Sequence, residues 1–250
     1  MNVLTILGPT ACGKTTFATQ LALRLDGEII SADSRQVFRR MDIGTGKDLA
    51  DYEIDGHHIP YHLIDIAEPG TRYSVYRFQQ DFHAAYNDIL SRGKTPILCG
   101  GTGLYIESVI KGYEFDGRLL PPLRSLNIGL LIDRDERRRK ISARLRTRLE
   151  EGMVEEVQGL IDSGVPTDAL IRYGLEYKYV TLYLLGKLSY DEMFRLLEIA
   201  IHQFAKRQMT WFRGMEERRG VPIHWIRCDL PIKERIEIVE DLWQKQLTSE

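Results

Sequence analysis

Two hundred and fifty residues, 43% hydrophobic and 28% charged, supply core enough for one large domain or two small ones. A formal net charge of -2 argues against a protein that grips nucleic acid by bulk positive charge, so any such contact has to be local. The three cysteines (Cys12, Cys99, Cys228) are far apart and lack metal-ligand spacing, which fits a reducing cytoplasm; with no basic leader and no long apolar segment, neither secretion nor a membrane span is expected.

The chain opens on the apolar run Val3, Leu4, Thr5, Ile6 and Leu7, which reads as a buried strand, and passes directly into Gly8-Pro9-Thr10-Ala11-Cys12-Gly13-Lys14-Thr15. That stretch satisfies G-x-x-x-x-G-K-[ST]. Residues 13–25 then keep apolar helical spacing until Gly27, so the motif has the strand-to-helix setting it requires. Gly8 and Gly13 let the backbone turn tightly enough to aim N–H groups inward, the helix start adds the positive end of its dipole, and Lys14 adds a charge. Gly8, Thr10, Ala11, Cys12, Gly13, Lys14 and Thr15 thus form a socket for a diphosphate, with the Thr15 hydroxyl placed for a Mg2+ ion bridging phosphate oxygens. Cys12 reads as a small filler rather than a nucleophile.

A second strand, residues 28–31, delivers Asp33, Ser34, Arg35 and Gln36 at its carboxyl end, where open α/β sheets bind ligands. A loop rich in glycine and charge, residues 41–48, runs on to an expected third strand at 61–65; His57 and His58 read as polar loop residues. Residues 73–92 read as a helix closed by Gly93, and residues 95–99 as a strand ending in Gly100-Gly101-Thr102-Gly103. Strands alternating with helices predict a mainly parallel sheet with right-handed crossovers, which brings the Gly100 turn near the first glycine-bearing turn on one sheet edge. Residues 112–126, with Gly112, Gly117, Pro121 and Pro122, read as a connecting loop, and residues 127–132 restore a strand. Next comes a strongly basic helix with Arg134, Arg137, Arg138, Arg139, Lys140, Arg144, Arg146 and Arg148, either a solvated face or a phosphate-contacting one. Helices at 153–161, 176–185 and from 190 to about 212, a strand at 223–226 and a closing helix at 232–247 complete a single domain with a helical outer layer.

With these stretches in order, the chain closely resembles the tRNA dimethylallyltransferase (isopentenyltransferase) family. The resemblance rests on the phosphate loop, Asp33-Ser34-Arg35-Gln36-Val37, Met41-Asp42-Ile43-Gly44-Thr45, Gly100-Gly101-Thr102-Gly103-Leu104-Tyr105 and Ala205-Lys206-Arg207-Gln208-Met209-Thr210-Trp211-Phe212-Arg213. It implies an α/β, P-loop NTPase-like three-layer fold with a mainly parallel sheet and additional C-terminal helices, residues 1–250 forming one prenyltransferase domain. The implied reaction moves a dimethylallyl group from dimethylallyl diphosphate to N6 of an adenosine next to the anticodon in tRNA, releasing diphosphate. Mg2+ is the implied cofactor, the anticodon arm of tRNA the implied partner, and a cytoplasmic monomer the expected state.

The resemblance also assigns roles. Asp33 matches the family's catalytic aspartate and would take the amine proton, while Thr102 matches a threonine beside both substrates. Lys14 and Arg207 would offset charge as the C–O bond breaks. Ser34, Arg35 and Gln36 match the stretch that holds the target adenosine, and Gln203, Lys206 and Arg207 fall on the RNA side. Two departures stand out. Family members carry an inserted helical domain where this chain has only residues 112–126, and the family's Gly-Tyr-basic-Gln/Glu stretch is altered to Glu176-Tyr177-Lys178-Tyr179. The missing RNA-binding mass keeps a free adenine nucleotide open as acceptor, and a P-loop kinase or NTPase would use the same phosphate loop.

Overall fold

The computed structural model describes residues 2–115, 118–119 and 122–248. The opening apolar run is strand β1 (Asn2–Leu7), and every residue from Val3 to Leu7 is buried. Burial on both faces is what a central strand of a helix-covered parallel sheet requires. Around it lie β2 (Gly27–Ser31), β3 (Tyr61–His62), β4 (Thr95–Gly100), β5 (Arg124–Leu131) and β6 (His224–Arg227), in the spatial order β6-β5-β1-β4-β2-β3. All five pairings are parallel. β4 sits between β1 and β2, so the loops leaving the carboxyl ends of these three strands are neighbours.

Side chains on the two faces of β1 feed two cores. Leu4 and Ile6 pack with Phe17, Ala18 and Leu21 of helix α1 (Lys14–Leu25). Val3 and Leu7 pack with Phe78 and Phe82 of α2 (Val75–Ser91) and with Ile106 of α3 (Gly103–Lys111). A third core is helical, built by α4 (Arg134–Glu150), α5 (Met153–Asp162), α6 (Thr167–Tyr173), α7 (Leu175–Leu184) and α8 (Tyr190–Arg219). Val37, Phe38 and Met41 plug into it from the loop that follows β2. The closing helix α9 (Ile232–Thr248) lays Val239 and Trp243 on the first core. No helix among the described residues is long and apolar enough to cross a membrane.

His57 and His58, expected in a loop, pair antiparallel with Glu53–Ile54, and the periodicity misjudges four further places, each for a local reason. β3 stops at His62 rather than reaching residue 65, because Leu63 and Asp65 take left-handed backbone angles (φ 65° and 56°) that end strand pairing. The region 112–126 is more than a connecting loop: Glu114–Phe115 pairs antiparallel with Arg118–Leu119, and β5 begins at Arg124. The rest of that expected connector at 116–117 and 120–121, including Gly117 and Pro121, lies outside the described residues. Helix α6 escapes the pattern because it is one short segment between Pro166 and Gly174, both of which read as breakers. Helix α8 runs past residue 212 to Arg219, where Gly220 at φ 67° closes it, because Met215 still has a buried apolar seat.

Candidate active site

The site grows from the three adjacent strand ends. Between β1 and α1 the phosphate loop coils through Ala11 (φ 63°) and Gly13 (φ 78°), and α1 starts with no side-chain cap. Its first-turn N–H groups, which no helical carbonyl can satisfy, are left for a ligand. Lys14 Nζ folds back to donate to the Pro9 carbonyl at 2.7 Å, so its charge stands over the loop.

At the end of β2, Asp33 Oδ1 accepts from the backbone N–H of Arg35 (2.8 Å) and of Gln36 (3.4 Å). Asp33 therefore caps its own turn with one oxygen, and this fixes the direction in which the other can work. Thr102, following β4, clamps the same turn: its Oγ1 accepts from Ser34 N (3.1 Å) while its N–H donates to Ala32 O (3.1 Å). Such an approach needs Gly100, since a Cβ there would lie 2.3 Å from Ala32 O.

Gln208 ties the phosphate loop to the Thr102 turn. From α8 its Oε1 accepts from Thr10 N (2.8 Å) and its Nε2 donates to Gly101 O (3.0 Å), in a buried setting. The opposite wall is the loop at residues 42–46. One carboxylate, Glu156 on α5, accepts from Asp42 N, Ile43 N and Gly44 N (2.8, 2.7 and 3.0 Å) and from Tyr177 Oη (2.7 Å). Gln36 Nε2 then donates to Gly46 O (3.1 Å), joining this wall to the Asp33 turn.

These walls enclose a cavity of about 420 Å³. Thr10, Lys14, Thr15, Asp33, Ser34, Arg35, Gln36, Thr102 and Arg207 all line it, so the residues expected to act on the two substrates share one space. Ala11 lines a small annex between the phosphate loop and α4. Gly8, Cys12 and Gly13 shape the loop from outside the lining. Gln203 and Lys206 are exposed on α8 and do not line the cavity, so they can meet RNA outside it but not the adenosine within. Trp211 and Phe204 stand large and half-exposed at the mouth, with the Arg207 guanidinium 5.9 Å from the Phe204 ring centre. The floor residue Cys99 is held as a thiol, burial pushing its pKa up to about 12.

The basic helix divides its charges. Arg144 and Arg148 turn into the cavity, whereas Arg134, Arg138, Arg139 and Arg146 are exposed. Arg144 donates to Asp48 at 2.7 Å. Glu176 completes this wall, and its burial raises its proton affinity against the opposing pull of Arg148 and Arg144. Burial likewise lowers the pKa of Arg35 from its ordinary value, with Asp33 pulling the other way. Gln208 and Glu156 carry no role in the sequence reading. For Gln208 a signal exists, because it is a polar residue at an apolar position of the stripe Ile201, Ala205, Gln208, Phe212.

Comparison with known proteins places the chain in a family. A family model described as IPP transferase matches residues 36–125 and 114–215, and one described as Isopentenyl transferase matches residues 1–61. The protein named tRNA dimethylallyltransferase 1 of Parabacteroides distasonis is 50% identical over 304 aligned positions, taking in 98% of this chain and 99% of the relative. That alignment is longer than the chain's own 250 residues, so the relative carries residues that this chain lacks. The Porphyromonas gingivalis protein of the same name is 51% identical, covering 96% of this chain and 99% of its own length. Among solved structures, the full-length tRNA isopentenylpyrophosphate transferase of Bacillus halodurans superposes with a TM-score of 0.87 at 29% identity, over 99% of this chain and 97% of that one. A eukaryotic dimethylallyltransferase acting on tRNA shares the fold, with a TM-score of 0.84 at 19% identity, over 98% of this chain and 80% of that one.

Proposed function

The chain belongs to the IPP transferase family, and from that premise we propose that it transfers a dimethylallyl group from dimethylallyl diphosphate to N6 of an adenosine next to the anticodon in tRNA, releasing diphosphate. The observation that carries the reading is the single cavity in which the phosphate loop faces Asp33 and Thr102. A diphosphate seated on Thr10, Lys14 and the start of α1 directs its esterified carbon toward the Asp33 turn. An adenine entering past Phe204 and Trp211 meets that carbon from the other side, turned out of its stack.

In the reaction the N6 lone pair forms a bond to C1 of the allyl group while the C1–O bond breaks, its electrons leaving with the diphosphate. The amine proton, acidified as nitrogen gains its bond to carbon, passes to the free oxygen of Asp33 and then to solvent. Lys14 and Arg207 hold the departing charge, and the first-turn N–H groups of α1 add fixed dipoles. The hydroxyl of Thr102 sits beside the Asp33 turn and is free to donate to either substrate. The cavity walls shield the carbon from water as it becomes cationic.

Mg2+ fits the donors present. Thr15 offers one hydroxyl on the cavity wall, and no cluster of three or more His, Cys, Asp or Glu side chains among the described residues would form a cage of its own. The ion would therefore arrive with the diphosphate, held by Thr15, phosphate oxygens and water, and its chemistry there is charge neutralisation on the leaving group. The segment present in the relatives and absent here falls at residues 112–126 in this reading, so exposed arginines of α4, together with Gln203 and Lys206, supply much of the grip on the anticodon arm. The protein acts as a cytoplasmic monomer of one domain.

The shorter chain favours one second reading, a free adenine nucleotide as acceptor. Incubation with labelled dimethylallyl diphosphate and, separately, bulk tRNA, AMP and ATP separates the two. Label in tRNA but not in AMP is the expected result. Label in AMP alone selects the second reading, and ATP hydrolysis without prenyl transfer refutes both.

A further inference from the structure

We propose that Arg148, on the inward face of α4, is a ligand for the diphosphate of the donor, supplied from outside the phosphate-loop motif. The proposal rests on the prenyl-transfer reading above and adds a binding residue to it.

Three observations carry it. First, Arg148 Nη2 is buried and has no hydrogen-bond partner among the described residues. A guanidinium donor in that position is costly unless something accepts from it. Burial, followed by the neighbouring Arg144, lowers the pKa of Arg148 from its ordinary value, with Glu176 and Asp48 pulling the other way without reaching its buried Nη2. Arg144 has its partner in Asp48, and the described residues offer Arg148 no carboxylate at ion-pair distance.

Second, the opposing backbone is cut away to admit it. A Cβ on Gly46 would lie 1.7 Å from Arg148 Nη2 and 2.4 Å from Arg144 Nη2, and Gly46 has a left-handed φ of 66°. The loop bearing Gly46 is locked by Glu156 and by Gln36, so the space is built rather than incidental.

Third, the direction is right for a phosphate. Across the small annex of the cavity Arg148 and Arg144 face Thr10 and Ala11 of the phosphate loop, whereas Phe204 and Trp211, which mark the mouth, do not line that annex. Two adjacent guanidinium groups repel until an anion lies between them, and the planar fork of arginine matches two oxygens of a phosphate. A diphosphate on the loop has oxygens to spare for this.

The test is calorimetric titration of inorganic pyrophosphate with Mg2+ into the wild type, Arg148→Met, Arg148→Lys and Lys14→Ala. Arg148→Met should weaken pyrophosphate about ten- to a hundredfold, the worth of a charged hydrogen bond, and Arg148→Lys by a smaller factor. The donor KM should rise in the same order, with the tRNA KM unchanged. Wild-type affinity in Arg148→Met overturns the proposal, as does a defect confined to tRNA. Should Arg148→Met fail to fold, Arg148→Lys decides: undiminished pyrophosphate affinity there counts against the two-pronged contact. If Lys14→Ala loses pyrophosphate while both Arg148 variants keep it, only the role of Arg148 falls. If the wild type itself does not bind pyrophosphate, the donor-site reading falls with it.

Discussion

Leucine in place of Gln208 would remove a side chain that fastens the phosphate loop to the turn bearing Thr102. It strips two hydrogen bonds, from Thr10 N at 2.8 Å and to Gly101 O at 3.0 Å, at a site where the side chain is buried. Each bond lost leaves a backbone group unpaired, at about 1–3 kcal/mol apiece. Leucine recovers part of this through its own burial, so the net expected loss is about 2–3 kcal/mol of unfolding free energy. Urea denaturation reads that number directly. Steady-state kinetics should show the donor KM rising as well, since Thr10 lines the cavity. Gln208→Glu keeps an acceptor for Thr10 but sets a carboxylate beside the diphosphate, so its donor KM should exceed that of the leucine variant. Stability within about 0.5 kcal/mol of wild type, together with an unchanged donor KM in Gln208→Leu, would refute the bridging role.

Asp33→Asn keeps an Oδ1 that accepts from Arg35 N, so the turn should persist and pyrophosphate affinity hold while turnover falls by about 10²–10⁴; a fall below about tenfold removes Asp33 as the general base. Glu156→Ala releases three backbone N–H groups and the Tyr177 hydroxyl from one carboxylate, and urea unfolding should register a loss of about 3–5 kcal/mol; a loss under about 1 kcal/mol would show that water replaces the clamp. His83 has a buried, unpartnered Nε2 among the described residues, and burial lowers its pKa below the ordinary 6.5. The unfolded chain therefore takes the proton first, so the stability His83 contributes is full above pH 6.5 and is lost as pH falls through that value toward its folded pKa. His202, also lowered by burial, adds to the same slope. Melting temperatures at pH 7.5 and 5.5 should differ less in His83→Gln than in wild type, and an equal difference would remove His83 from the account.

Local pattern carried most of the fold. The run from Val3 to Leu7, the two loop glycines and the helical spacing after Lys14 are contiguous, so one window of sequence holds the strand, the turn and the helix. The same holds for residues 28–36 and 95–103, and the adjacency of the three loops then followed from the rules of parallel sheets. At the end of β3 and of α8, where the reading slipped, the decisive term was a backbone angle or a distant seat. Nothing in the side chains of Leu63 or Asp65 announces a left-handed φ, and α8 continues past Gly214 because the second core accepts Met215 from another part of the chain.

The site divides along the same line. Lys14, Asp33 and Thr102 sit at strand ends, where sequence position alone says what they can face. Glu156 meets backbone more than a hundred residues away, and only the folded chain states which N–H groups it will find. Arg148 lies between these cases. It belongs to a run of basic residues whose exposed members are unremarkable, yet it follows Ile141 and Leu145, the buried apolar residues of α4, at the i+7 and i+3 positions of the same stripe. Gln208 occupies the equivalent place on α8, three and seven residues beyond Ala205 and Ile201. Burying a polar side chain on an apolar stripe costs free energy unless something inside the fold meets it. For Gln208 that something is backbone of the loop and the turn. By the same physics the unmatched donor of Arg148 calls for an acceptor that arrives with the substrate.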